Sequence, residues 1–580
     1  MKYKHSRILI YAAMAIVLIL KLGVIRKLSE LSLWPDMTFY TDLGMQPGVV
    51  LPILGSVLTQ ISGIPILGVA LVLLSLCCLS LIVRGFQHDG ITAIFPTFAA
   101  FWFIAGFDYS LYTFRSQGLL FSQTLGLICA ALMILGWIKI KEYKEAPFYP
   151  LLVALAGYPL FGAYSVVALA AILLDAIVSK KWLPAALAVV CGFCVPLAYS
   201  HFVFTHIDTR YTFLAGLPYM DFVDNHRRFI PLAISMASLV ILPVIRIKRD
   251  PGGAVTWVLT VLMALIIVSV LPYRNRNFHI EIAMQHAIEK NDWDKALKLA
   301  RRTGQPSRII VMYRNIALMN KGRLCDEMFT FPNESVGIDT PAQISQTEVC
   351  GPLVFFYNGL INYSARWSWE MSMMFQRTVE RYKYQAKVAL FTGQEKPALV
   401  EKYLDIIARN LYQRKWVRGY RSMLEDPSLL ASDPEYKMFK ALDNYEEIKY
   451  MSSAVVENTI LNHFMLQEHP EGVMLEASLA ASMTAKDIDM FWYFFDILLA
   501  SGRRIPTHVA EAAILFAYIG RDQAEIDAVA RSLGGPDAPV VRRFIDFSSK
   551  ASSGDEKACR DKFMDTYWYY VYFVKSITTD

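Results

Sequence analysis

FYPLLVALAGYPLFGAYSVVALAAILLDAIV, residues 148–178, is the stretch on which the reading of this chain turns. A helix needs roughly 20 apolar residues to cross the hydrocarbon of a bilayer. This run is too long for one crossing, and Gly157, Tyr158, Pro159 and Gly162 stand at its middle. Proline withholds a backbone donor and glycine favours a turn, so two short helices with a turn between them are expected. Working outward, apolar runs of spanning length lie at Ile8 to Ile25, Ile64 to Val83, Ile91 to Phe107 and Leu119 to Ile138 on one side. Trp182 to Phe204, Phe229 to Ile245 and Ala254 to Leu271 follow on the other. Seven runs and the divided one predict nine spans.

Composition agrees with a membrane reading. Apolar residues make up 55% of the 580, charged residues 19%, and mean hydropathy is +0.35, too apolar for a water-soluble chain of this size. The average hides a split at Tyr273: apolar runs with sparse charge precede it, and Lys, Arg, Asp and Glu recur every few residues after it. The expected fold class is therefore all-α, with residues 1–273 forming a transmembrane domain and residues 274–580 a soluble domain. A net charge of +6 would suit nucleic acid, but the basic residues form no stripe with interleaved aromatics, which argues against that partner.

Lysine and arginine favour the cytoplasmic side of a membrane protein. Lys2, Lys4 and Arg7, then Arg84, then Lys139, Lys141 and Lys144, then Lys180 and Lys181, then Arg246, Lys248 and Arg249 all fall on one side of the nine-span arrangement. The amino terminus is thus expected in the cytoplasm, with the first apolar run retained as a span. An odd number of spans sends the polar half outside, to the periplasm of a bacterial inner membrane.

Five of the eight cysteines lie in apolar segments. Cys191 and Cys194 form a lone C-x-x-C, read as core packing. In a periplasmic tail, Cys325 and Cys350 could pair as a disulfide. Asp175 is expected to reach inward toward Lys180.

The tail reads as short amphipathic helices, for instance His279 to Ile288 and Trp293 to Arg302. Asp292-Trp293-Asp294-Lys295-Ala296-Leu297, and Ala317-Leu318 followed by Gly322, resemble parts of a tetratricopeptide unit. Ala389-Leu390 before Gly393, and Ala517 before Gly520, echo it at irregular spacing. Helical arrays of this kind present concave surfaces to partners. Tyr357, Tyr363, Trp367 and Trp369 either line such a surface or form core between helices.

The outward loops carry the candidate chemistry. The loop Arg26 to Gly63 holds Asp36 and Asp42 and then the semi-apolar Leu51 to Gln60. Asp108 and Arg115 bracket the loop after the third expected span, and Thr205 to Arg228 contains Asp208, Arg210, Arg227 and Arg228. An acid in a long first outward loop, many short spans and a periplasmic tail resemble the GT-C glycosyltransferase superfamily. The layout with a tetratricopeptide-like tail is similar to that of the transmembrane-and-tetratricopeptide-repeat O-mannosyltransferases. Pro47-Gly48, Leu58-Thr59-Gln60, Pro65 and Leu67-Gly68 resemble an uncharacterised family of polytopic bacterial inner-membrane proteins with helical tails.

The GT-C resemblance implies transfer of sugar from a polyprenyl-phosphate-linked donor to a protein or envelope glycan. A carboxylate would orient or deprotonate the acceptor hydroxyl, with a divalent metal as a possible aid, and cations would hold the leaving phosphate. Asp42 is the first choice for the acid and Asp36 the second, with Asp108 as an orienting partner. Arg115, Arg210 and Arg228 are the phosphate-binding candidates. Lys21, near the outer end of the first expected span, either snorkels outward or joins them. For each acid the plain alternative is a solvated or helix-capping loop residue, and the adjacent acidic pair common in that superfamily is absent. A non-catalytic scaffold whose tail docks envelope proteins is the competing reading. Transport is disfavoured by the lack of corresponding interrupted halves, and P-loop and Rossmann signatures are missing.

Overall fold

The computed structural model describes residues 2–34, 46–86, 92–112, 114, 117–144, 146–218, 226–245, 253–333, 349–375, 377–393, 396–442, 456–520, 523–554 and 556–574. Among these the chain is helical, with no strand. It divides into two compact units. The first comprises Met1–Arg274 together with Ser372–Tyr382 and Asp405–Val417; the second comprises Asn275–Met371, Lys383–Leu404 and Arg418–Asp580. Two stretches of the polar half are therefore built into the unit formed by the apolar half.

In the first unit, α1 (Lys2–Leu20) and α2 (Leu22–Leu31) are followed by α3 (Val50–Ile61), α4 (Pro65–Arg84), α5 (Phe95–Ala105) and α6 (Leu119–Ile140). After a short segment come α7 (Ala163–Val178), α8 (Trp182–Phe202), α9 (Ile230–Ile241) and α10 (Gly253–Ser269). Three of these, α4, α6 and α8, are long and apolar enough to cross a membrane, and the α1–α2 pair would make a fourth if it is one broken span. Of the other runs expected to cross, those at 91–107, 148–178 and 254–271 form shorter apolar helices, and the run at 229–245 holds the 12-residue α9. The first expected span is not a single rod: it bends by 66° where α1 gives way to α2 at Lys21. The semi-apolar stretch Leu51 to Gln60 is helical, as part of α3.

The run at 148–178 divides as expected. Tyr149–Leu152, a π-helical turn Val153–Gly157 and Tyr158–Phe161 form one short rod, Gly162 breaks it, and α7 follows. Gly162 has φ +57°, and a Cβ there would collide with the Ala215 carbonyl oxygen. Gly48 and Gly216, also at positive φ, sit against it, with Gly48 N–H donating to Pro159 O (2.9 Å) and Ala163 N–H to Ala215 O (2.8 Å). Three connections thus meet backbone to backbone, which only residues without a Cβ allow. Asp175, on α7, does not reach Lys180: it accepts from Trp137 Nε1 at 2.8 Å and from Lys141 Nζ at 3.0 Å, both belonging to or capping α6.

The second unit opens with α11 (Arg276–Ile288), α12 (Trp293–Ala300) and α13 (Arg308–Asn320), whose N-caps Asn275, Asp292 and Ser307 each accept a backbone N–H of the first turn. Gly322 (φ +61°) and Gly393 (φ +62°) turn the chain at helix ends. Further on lie α14 (Ile361–Met374, through Met371), α15 (Val379–Thr392, from Lys383), α16 (Pro397–Ala408, through Leu404) and α17 (Thr507–Gly520), the remaining residues of the first three belonging to the first unit, and Tyr567–Phe573 closes the second. In that last helix Tyr567 N–H donates to the Glu511 carboxylate and Trp568 Nε1 to the Glu511 carbonyl, both on α17. Cys325 and Cys350 are buried free thiols rather than a disulfide; Cys325 Sγ donates to Glu476 O at 3.2 Å. The aromatic cluster divides: Tyr357 and Tyr363 are buried, whereas Trp369 is exposed.

The interior of the second unit holds one carboxylate with a full set of partners. Glu435 accepts from Lys387 Nζ at 2.6 Å, from Tyr420 at 2.8 Å and from the Tyr357 hydroxyl. Burial by itself would raise its carboxyl, but the Lys387 charge and these hydrogen bonds outweigh burial and hold it below the ordinary glutamate value.

Two outcomes are expected. Gly162→Ala should lower stability by about 1–3 kcal/mol, measured as unfolding in detergent, because a side chain is forced into a strained and occupied site. Lys387→Met leaves Glu435 buried without its cation and should cost about 3–5 kcal/mol at neutral pH. A depressed carboxyl stabilises above its unfolded value and loses that contribution as pH falls through the folded one. The deficit of Lys387→Met should therefore shrink in acid, and a deficit independent of pH would contradict this account.

Candidate functional site

The last turn of α5 ends at Ala105 with Gly106 as its cap, and the chain turns at once into a 3₁₀ segment, Tyr109–Tyr112. Asp108 makes that turn. Its Oδ1 accepts the Ser110 N–H at 2.9 Å and so plays the local capping role for which Asp is suited. The same oxygen accepts from Arg228 Nη1 at 2.5 Å. Arg228 arrives on another 3₁₀ turn, His226–Phe229, which leads into α9. Side-chain exposures of 11% for Asp108 and 12% for Arg228 put the pair largely out of water. Phe229 beside it lies 5.9 Å from Phe114, which in turn lies 6.2 Å from Phe103, so an aromatic wall flanks the ions.

Lys21 completes the group. At the bend between α1 and α2 its buried side chain donates through Nζ to Ala105 O, a carbonyl left over at the end of α5. Tyr273 N–H donates to the same oxygen at 3.1 Å. The Asp108 carboxylate acts electrostatically on the Lys21 ammonium. Three charged side chains from three separated parts of the chain thus gather at one helix end, two cationic and one anionic. The buried Arg228 Nε has no hydrogen-bonding partner among the described residues.

The structure therefore unites Asp108, Arg228 and Lys21. Lys21 points inward to a backbone carbonyl and does not snorkel. Arg210 does not join them: its side chain is 87% exposed and pairs with Asp208 two residues away at 3.4 Å. Asp36, Asp42 and Arg115 lie outside the described residues. Among the described residues no three His, Cys, Asp or Glu side chains gather as a metal ion requires. With cations on both sides, Asp108 is arranged for ion pairing and does not fit a metal ligand.

A second polar group was not legible in the sequence. Lys27, on α2, pairs with Glu380 at 2.6 Å and lies over the Tyr112 ring at 5.5 Å from its centre. Arg381 donates to Tyr112 O at 3.5 Å, and Gln117 Nε2 to Arg377 O at 2.9 Å. Gln60 and Asn410 both donate to Ser32 O, at 2.5 and 3.2 Å. Residues 377–381 and 410 come from the two tail stretches that belong to the first unit. Separations of more than 250 positions carry no periodicity or motif that could have announced these bonds.

Fold and site together define an all-helical protein with a few apolar helices of membrane-crossing length and a buried carboxylate–cation cluster. The chain belongs to the family described as Family of unknown function (DUF6057), which matches residues 30–574. No curated protein and no solved structure matches it.

If Asp108 and Arg228 form a coupled pair, Arg228→Gln alone should destabilise the protein by about 3–5 kcal/mol, since it strands a buried carboxylate. Adding Asp108→Asn, which keeps an acceptor for Ser110, should recover most of that loss. Thermal unfolding in detergent checks it; losses that simply add would show the two residues to be independent.

Proposed function

We propose that the chain is a membrane-embedded glycosyltransferase of the GT-C kind, moving sugar from a polyprenyl-phosphate-linked donor to a protein or envelope glycan outside the cytoplasm. The observation that carries this reading is the charge balance at the end of α5, where, among the described residues, Lys21 and Arg228 gather about one carboxylate, that of Asp108. A surplus positive charge away from water is costly, and a phosphate offers the compensating charge together with the acceptor oxygens that guanidinium and ammonium groups bind. Arg228 Nε, buried and unpartnered among the described residues, supports this because it is a donor without an acceptor.

The chemistry follows from those roles. The acceptor hydroxyl attacks the anomeric carbon while the bond from that carbon to the phosphate oxygen breaks. The phosphate leaves with the electron pair and is stabilised by Arg228 and Lys21. The hydroxyl proton passes to a carboxylate, for which Asp42 is the first candidate and Asp36 the second. Asp108 positions Arg228.

Placement in a bacterial inner membrane, with nine spans, a cytoplasmic amino terminus and a periplasmic tetratricopeptide-like tail that receives the acceptor, belongs to the same proposal. The lysine and arginine bias of the loops supports it. So do the outer faces of α8 and α10, where Leu183, Val190, Phe193, Val258, Leu262 and Leu265 are exposed and would need lipid to cover them.

The test uses membranes carrying the full chain, a polyprenyl-phosphate-linked sugar and envelope acceptor. Asp42→Asn with Asp108→Asn should lower transfer by roughly a hundredfold or more. The charge-neutral pair Asp108→Asn/Arg228→Gln should lose transfer while keeping normal abundance. Undiminished transfer in both variants would favour the scaffold reading.

A further inference from the structure

In the second unit, α14, α15 and α16 enclose a trough of about 470 Å³, within the range of small-ligand clefts, roughly 300–1,000 Å³. Its walls follow helical spacing. On α14 the lining positions are 362, 365, 366, 369 and 370, on α15 they are 385, 388, 389 and 392, and on α16 they are 399 and 403. Each set forms one stripe of a helix turned to a common space. The stripes were not selected by core packing alone, because several of their side chains are polar or exposed.

Trp369 is 59% exposed, unusual for the largest apolar side chain, and it lines the trough with Tyr403. Gln385 is the informative member. It is 6% exposed and opens onto the trough. Packing fixes its stem, and its amide presents a donor group and an acceptor to whatever occupies the trough. At the rim, Arg366 Nε donates to Glu370 at 2.7 Å, so the two charges cancel while both groups keep further donors and acceptors. Val388 and Ala389 keep the middle of the floor small and apolar.

We infer that this trough binds a neutral carbohydrate, a short stretch of the acceptor glycan. The inference rests on the transferase reading only for the word acceptor. A sugar ring has an apolar face of C–H groups that lies against an aromatic ring, and pairs of neighbouring hydroxyls that match planar groups with two hydrogen-bonding atoms. Trp369 and Tyr403 supply the rings, and Gln385, Asn362, Arg366 and Glu370 supply the planar groups. Cancellation of the rim charges disfavours a phosphate or a polyanion. A peptide would look for a free strand edge or a deep apolar anchor pocket, and the lining offers amides and a flat indole instead.

The experiment uses the full chain in nanodiscs prepared without glycoside detergent, titrated with mannobiose, cellobiose and N,N′-diacetylchitobiose, read by saturation-transfer NMR and tryptophan fluorescence. Saturable binding of at least one disaccharide is expected. Trp369→Ala and Gln385→Leu should each weaken it tenfold or more with unfolding unchanged, and Gln385→Asn should retain part of it. Binding should persist in Asp108→Asn/Arg228→Gln, so that loss of transfer there with binding intact separates this site from the transferase centre. No saturable binding of any of the three, or binding indifferent to both Trp369→Ala and Gln385→Leu, would overturn the inference.

Discussion

A charged or hydrogen-bonding group removed from water has to find its partner inside the protein, and in a chain this apolar that requirement shapes the first unit. Asp108, at the end of an apolar helix, is held by Arg228 and by the Ser110 N–H. The carbonyl exposed where α5 stops takes the ammonium of Lys21. Asp175 is answered by Trp137 and Lys141. In each case an element end or a helix face is positioned by a pair of polar contacts. The break between α1 and α2 falls at the residue that makes such a contact, and the two tail stretches of the first unit are bonded to it through Glu380, Arg381, Arg377 and Asn410.

Close backbone approach is the complementary device. Where Gly48, Gly162 and Gly216 meet, and where Gly118 rests on Gly55 between α6 and α3, the absence of Cβ atoms lets connections and helices approach more nearly than side chains would permit. These contacts set the relative positions of α3, α6 and α7 without using polar side chains. Side-chain ions are thereby left for the helix end where the chemistry is proposed.

The same economy of polar groups separates structural from functional ions. Glu435 has a full complement of partners in Lys387, Tyr357 and Tyr420, and its carboxyl sits below its ordinary value because those partners outweigh burial. It is a closed cluster with nothing left to offer a ligand. Around Asp108, among the described residues, two cations gather about one carboxylate and one guanidinium nitrogen is left over, and in the trough of the second unit a nearly buried amide opens onto the cavity. Polar groups that lack a partner or open onto a cavity are the common ground for both assignments.

Apolar run lengths and the turn residues Gly157 to Gly162 were enough to foretell an all-helical protein, a division of residues 148–178 within that stretch, and tail helices near His279 to Ile288 and Trp293 to Arg302, because these follow from solvent preference and from local turn chemistry. The sequence also singled out Asp108 as an ionisable group ending an apolar span, Lys21 as a cation near the end of the first, and Arg228 as a cation in an outward loop. It could not pair them, nor remove Arg210 from their company, nor foresee the bend at Lys21, the Asp175–Lys141 contact or the free state of Cys325 and Cys350. Lys27 and Glu380 stand 353 positions apart, and no periodicity reaches across that distance. Local order is written in neighbouring residues, whereas the partner of a buried charge is chosen by which helix ends the folded backbone brings within hydrogen-bonding reach.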